Sequence, residues 1–267
     1  MTSVPALVLR APLLVTQAMR VRATVPRLPE AACTTGTVGT GPAAQLVVVG
    51  DSVAAGVGVD HHEATVAGQL ARRLSETYDR TVRWRVRARS GDTAADVVAD
   101  LDTTSVADAD VVVVSIGVND VKNLHSANRW RSDLTALLTL LSDAAEAPVL
   151  LMALPPIDAL PALPAELGGF LAARGRAFDA IAREVCDRIP DVTYVVCEAQ
   201  FTGEMFAADG FHPSARAHRA LADTCADKLD AMDLRWRHDD RAGHQGLDLG
   251  DRETVQRVRI RSSARPA

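Results

Sequence analysis

Leu46-Val47-Val48-Val49-Gly50-Asp51-Ser52-Val53-Ala54-Ala55-Gly56 is the stretch that decides the fold. A β-branched apolar run of strand character stops at a Gly-Asp-Ser turn, and small residues follow. An apolar run of this length with no polar alternation reads as a strand buried on both faces, as in a parallel sheet. Open α/β sheets bind ligands outside the carboxyl ends of their strands. Ser52 therefore stands where chemistry is expected.

Downstream, strand and helix patterns alternate. Gln45–Val49 is the first strand, and Val66, Leu70 and Leu74 mark one face of a helix over Val66–Tyr78. Val82–Ala88 alternates Val82, Trp84 and Val86 with arginines, as a half-exposed edge strand does. Ser90-Gly91-Asp92-Thr93 turns into a helix over Ala94–Leu101. Val111–Ile116 reads as the central strand and ends at Gly117-Val118-Asn119-Asp120. A helix over Trp130–Ser142, a strand at Val149–Ala153, a loop at Ile157–Leu167 and a helix over Phe170–Arg188 follow. A fifth strand is expected at Val192–Val196, and a last helix over Ser214–Met232. Five such alternations imply βαβ units and a parallel sheet with helices on both faces.

The ends read differently. Residues 1–44 form an arm and linker, 45–233 the α/β domain, and 234–267 a charged tail in which only Thr254–Ile260 suggests a short strand or turn of helix. In the arm, Val4–Val15 is apolar but broken by Arg10 and Pro12, and its positive charge follows the apolar run, which is the reverse of a secretory signal. The run is too short to span a bilayer. An arm packed on the domain's own surface is expected. An amphipathic helix making peripheral membrane contact is the other reading, so the expected location is cytoplasmic or peripherally membrane-associated. Thr34–Pro42, rich in Thr and Gly, reads as a linker.

Composition excludes several classes. The 267 residues carry a net charge of -5, which argues against a general nucleic-acid binder. The four cysteines, Cys33, Cys186, Cys197 and Cys225, include no Cys-x-x-Cys pair and read as reduced thiols. His61-His62-Glu63 offers no third metal ligand at suitable spacing and reads as a solvated loop.

Four polar clusters fall at strand ends or at the start of the last helix: Ser52, Gly91, Asn119, and Asp209 with His212. One sheet edge gathers them. A serine hydroxyl needs a base, and the base needs an acceptor on its other nitrogen. Asp209 precedes His212 by three residues across Gly210, an offset that brings the carboxylate back to Nδ1 and leaves Nε2 for Ser52. The amides of Ser52 and Gly91 and the Asn119 side chain are the natural oxyanion donors. Asp51 and Asp120 are expected to hold their turns through backbone hydrogen bonds. Phe201, Met205 and Phe206 have two readings, the lining of an acyl pocket that the 157–167 loop covers or ordinary core packing.

Gly50-Asp51-Ser52-Val53, Gly91, Gly117-Val118-Asn119-Asp120 and Asp209-Gly210-Phe211-His212 together resemble, in order and placement, the four blocks of the SGNH (GDSL-type) hydrolases. Val53 stands where that family usually has Leu, and Ser90 before Gly91 where many members carry another polar residue. The resemblance covers roughly Gln45 to Met232. It implies a three-layer α/β/α sandwich with a five-stranded parallel, flavodoxin-like sheet. It also implies an esterase, lipase or acylhydrolase without metal or cofactor, acting on a small or lipid-like ester. On that resemblance Ser52 is the nucleophile, His212 the base, Asp209 its orienter, and Ser52, Gly91 and Asn119 the oxyanion donors.

Rival readings fit less well. A P-loop needs four residues between its glycines and then Lys-Ser/Thr, but five separate Gly50 from Gly56, and Val57 follows. The dinucleotide fingerprint meets His61 where it needs glycine. An α/β-hydrolase elbow would end in glycine where Ala54 stands, and that fold keeps its acid and histidine well apart. A non-catalytic, flavodoxin-like interaction module with a vestigial site is the remaining alternative.

Overall fold

A computed structural model describes residues 4–232 together with Leu234, Trp236 and Arg237. In chain order the elements are α1 (Val4–Thr24), β1 (Thr35–Val38), β2 (Ala43–Gly50), α2 (Val66–Tyr78), β3 (Thr81–Ala88), α3 (Ala94–Asp100) and β4 (Val111–Ser115). They continue with α4 (Val118–Lys122), α5 (Ala127–Ala145), β5 (Val149–Met152), α6 (Ala165–Cys186), β6 (Val192–Val195) and α7 (Ala215–Asp230).

The sheet order is β1-β3-β2-β4-β5-β6. All neighbours pair parallel except β1, which runs antiparallel to β3. Leaving β1 aside, the order is that of flavodoxin, reversing direction between β2 and β4. The α/β/α sandwich is the expected one, but the sheet has six strands rather than five. Thr34–Pro42 is therefore not a linker: its Thr-rich half pairs Thr35–Val38 against Val82–Arg85. Val82–Ala88 is consequently an inner strand and not the edge. Its alternation comes from one apolar face over the core and arginines on the other.

Strand periodicity divides the core in two. Val47, Val49, Val112, Val114, Val149 and Leu151 face α3, α5 and α6. Leu46, Val48, Val111, Val113, Leu150 and Met152 face α2 and α7. Successive side chains on a strand point to opposite faces, so a continuous valine run serves both layers at once. Every residue of β4 is buried. On one side Trp130 stacks on Phe178, ring centroids 5.3 Å apart, and its indole N–H donates to the Phe178 carbonyl at 3.0 Å.

α6 starts earlier than its sequence pattern suggests, at Ala165 rather than Phe170, so the 157–167 segment is a short 3-10 turn at Ile157–Ala159 followed by the helix. The indicated strand or helix at 254–260 lies outside the described residues. Trp236, in the stretch that composition marks as tail, is packed into the core against Tyr78 and Arg80.

Candidate active site

β2 delivers Ser52 through a bend that only glycine makes. Gly50 has φ +149°, and a Cβ there would lie 1.9 Å from the Ser115 carbonyl oxygen of the neighbouring strand. That same oxygen accepts from the Asp51 N–H at 3.0 Å, which locks the turn to the end of β4. Asp51 is buried, and its Oδ1 accepts from the Val53 N–H at 3.1 Å. This is the local turn-holding bond the sequence suggests. Burial is the main influence on Asp51. With repulsion from Asp120 and Asp92, and against the Val53 hydrogen bond and Lys122, it pushes the carboxyl up to about 7.

The strand ends at the reversal of sheet order carry the other groups. Gly117 opens α4, which presents Asn119 beside the Gly91 turn: Asn119 Nδ2 donates to the Asp92 carbonyl at 2.9 Å. One amide hydrogen of Asn119 thus fixes the Gly91 turn and the other is left over. A Cβ at Gly91 would meet nothing within 4 Å, so this turn faces open space. Among the described residues neither the Ser52 N–H nor the Gly91 N–H donates to another group. Asp120, fully buried, accepts from the Ala94 N–H at 3.3 Å and from His125 Nδ1 at 3.1 Å. It therefore ties the start of α3 to α4.

His212 and Asp209 meet as their spacing suggests. His212 Nδ1 donates to Asp209 Oδ2 at 2.5 Å, while Asp209 Oδ1 accepts from the backbone N–H groups of Phe211 and His212 at 2.9 and 3.0 Å. Burial pushes the Asp209 carboxyl up. The hydrogen bonds from the His212 ring and the two amides outweigh that and hold it below its ordinary value. Gly210 makes the offset work: it sits at φ +64°, and a Cβ would press to 3.2 Å on the Ala162 nitrogen. With its Nδ1 hydrogen committed to Asp209, the basic nitrogen of His212 is Nε2.

Ser52 and His212 line one cavity of about 390 Å³, together with Phe201, Met205, Phe206 and Ile157. The structure thus brings Ser52, His212 and Asp209 to one place, with Gly91 and Asn119 at the neighbouring strand ends. Ser52 Oγ makes no hydrogen bond to His212 or to any other described residue. Catalytic hydrogen bonds are often long before substrate arrives.

One histidine reading needs correction. His62 is not solvated: it is buried, with Nδ1 3.2 Å from the Thr65 hydroxyl oxygen. Burial also holds its pKa below the ordinary value. His218 sits on the inward face of its helix. It lies fully buried in α7, its Nδ1 accepting from the Val66 N–H at 3.3 Å, and burial drives its pKa down to about 3. Among the described residues, Asp120, His125 and Asp133 bring three metal-ligand atoms within 4.8 Å of one another. The groups already have partners, since His125 binds Asp120 and Asp133 pairs with Arg129.

The GDSL-like lipase/acylhydrolase family model matches residues 48–220. The chain belongs to that family. A GDSL-like esterase of Mycobacterium tuberculosis is 29% identical over an alignment of 206 residues, with 69% of this chain and 64% of that protein covered. The chain thus spans a little under two thirds of the length of the curated relative it matches. Among solved structures, a lipase from a goat rumen metagenome superposes with a TM-score of 0.58 at 21% identity, covering 72% of this chain and 98% of that one. A lipase/acylhydrolase from Enterococcus faecalis gives 0.56 at 20% identity, covering 71% and 96%. These likenesses are of fold. The family match runs from β2 into α7 and includes Ser52, Gly91, Asn119, Asp209 and His212, but α1 and β1 lie before it.

Proposed function

We propose that this family member hydrolyses carboxylic esters through an acyl-enzyme on Ser52. His212 Nε2 takes the Ser52 proton as Oγ attacks the ester carbonyl carbon. The carbonyl oxygen becomes an oxyanion facing the Ser52 and Gly91 amides and the remaining Asn119 Nδ2 hydrogen. Collapse expels the alcohol, which takes the proton back from His212. A water molecule, deprotonated by His212, then attacks the acyl-enzyme and releases the acid. Asp209 itself makes and breaks no bond to substrate or water. It fixes the His212 tautomer and steadies the ring while it is charged.

The observation that carries this reading is the Asp209–His212 hydrogen bond at 2.5 Å on a histidine that shares a cavity with Ser52. The pairing leaves Nε2 basic, and the cavity offers an ester room beside the hydroxyl. The name of the Mycobacterium tuberculosis relative points the same way. The test is turnover of a short-chain p-nitrophenyl ester by the wild type and by Ser52→Ala. Losing the nucleophile is expected to lower kcat by about 10⁴-fold or more. Equal turnover by both would refute the mechanism. No turnover by either across esters, thioesters and acetyl-sugars would leave the interaction-module reading.

A further inference from the structure

α1 lies before the family match, yet its inner face reaches the site. Between residues 10 and 25 only Leu14, Gln17, Val21 and Val25 are half-buried, at the three- and four-residue spacing of one helix face. Gln17 pins this face to α6: its Nε2 donates to Glu166 Oε2 at 3.0 Å and its Oε1 accepts from the Leu167 N–H at 3.1 Å. Leu14 and Val21 pack on the same apolar cluster as α5 and α6.

Between α1, α4 and α6 there remains a second cavity of about 830 Å³, walled by apolar residues such as Leu14, Val21, Val57, Val121 and Phe170, with Arg22, Arg27 and Lys122 among its polar ones. The two cavities are neighbours at the site itself, because Val118, Ile157, Phe211 and His212 line both. His212 stands at their junction, with Ser52 on the side of the smaller one.

We infer that the ester cleaved here carries an extended apolar group on each side of the scissile bond, one in each cavity, and that α1 forms a wall of the larger. The inference rests on the Ser52–His212 reading and adds the substrate class to it. An ester carbon held between Ser52 and His212 sends its acyl and alcohol substituents in different directions. A site with one pocket would leave one of them in water. Here both directions end in largely apolar space, and each volume lies in the range of about 300–1,000 Å³ typical of small-ligand sites. Apolar burial grows with each methylene, so selectivity should rise with length on both sides until each space is full.

The experiment compares hexyl hexanoate with two one-sided esters, ethyl hexanoate and hexyl acetate, using wild type, Val21→Trp and Leu14→Trp. Hexyl hexanoate is expected to exceed each one-sided ester by about tenfold or more in kcat/KM. Each tryptophan, filling the α1-walled space, should remove most of that advantage. It should also depress one of the one-sided esters and spare the other, and the ester depressed tells which half of the substrate α1 covers. Thermal melting of both variants checks that they fold. Two results overturn the inference: hexyl hexanoate no better than the better one-sided ester, or well-folded variants that change all three esters equally or not at all. Labelling by a fluorophosphonate separates this from failure of the esterase reading. A labelled Ser52 with one-sided selectivity sinks only the two-cavity inference, whereas an unlabelled Ser52 with no turnover sinks both.

Discussion

At the scale of single residues, the turn that carries Ser52 holds a second group with chemical consequences. Asp51 is buried directly before the nucleophile, facing Asp120, Asp92 and Lys122, and its carboxyl is pushed from 3.8 up to about 7. In the unfolded chain the same group titrates at an ordinary carboxylate value. The folded state therefore holds the proton more tightly. Stability is greatest below the unfolded pKa, falls as pH rises from about 4 towards 7, and levels off above the folded value. Asp51→Asn keeps a carbonyl oxygen for the Val53 N–H and removes the titration. The melting temperature of the variant, relative to wild type, is expected to climb between pH 5 and pH 8 by the equivalent of roughly 2–3 kcal/mol. A difference that stays flat across that range would show that Asp51 is not held protonated by its surroundings.

At the scale of elements, β1 shows how a short polar segment becomes structure. Thr35-Gly36-Thr37-Val38 has no apolar alternation, and its glycine and threonines suggest a linker. What makes it a strand is tertiary: it covers the otherwise open edge of β3, a row of unpaired backbone groups that native sheets rarely leave bare. Gly36 pairs with Trp84, and the indole lies over the glycine so closely that a Cβ at 36 would fall 1.9 Å from the ring. Trp84 in turn is 5% exposed and belongs to the core under α2 and α7. Gly36→Val must push the indole out of this place, and overpacking of this kind costs about 1–3 kcal/mol. Urea denaturation followed by tryptophan fluorescence measures it. A variant as stable as wild type would mean that residues 35–38 contribute nothing to the sheet. The same reasoning applies to α1, where Pro12 and scattered arginines interrupt the apolar pattern of the sequence and hide an inner stripe that only the presence of α6 reveals. Its outer side leaves Leu13, Val15 and Met19 exposed, and among the described residues no helix is long and apolar enough to cross a membrane.

At the scale of the whole molecule, what was legible in the sequence is what depends on periodicity and on local turns. The valine runs of β2 and β4, the α2 stripe and the Gly-Asp-Ser and Asp-Gly-Phe-His turns each carry their own geometry, so the parallel sheet and the candidate Ser52, Asp209 and His212 could be read without coordinates. What could not be read depends on partners distant in the chain: β1 against β3, His62 buried in the core, the second cavity under α1, and the closure at the carboxyl end. That closure joins three remote segments. Asp110, buried at the start of β4, accepts from the Gln45 N–H at 2.7 Å and from the Arg237 N–H at 2.8 Å, bonding β2 and the last described residue to one carboxylate. One residue earlier, Trp236 is 6% exposed, with Tyr78 edge-on at 5.2 Å and the Arg80 guanidinium 4.8 Å from its ring centre. Trp236 and Arg237 thus seal the end of the sandwich opposite the strand ends that bear Ser52 and Asn119. Trp236→Ala removes a buried indole, and substitutions of that kind cost about 3–5 kcal/mol. Because the seal is remote from the site, the loss should appear in chemical denaturation while kcat on a short ester, measured well below the melting temperature, stays near that of wild type. Wild-type stability would mean that the domain is complete without this stretch. A collapse of kcat in a protein still folded would mean that the closure is coupled to the site.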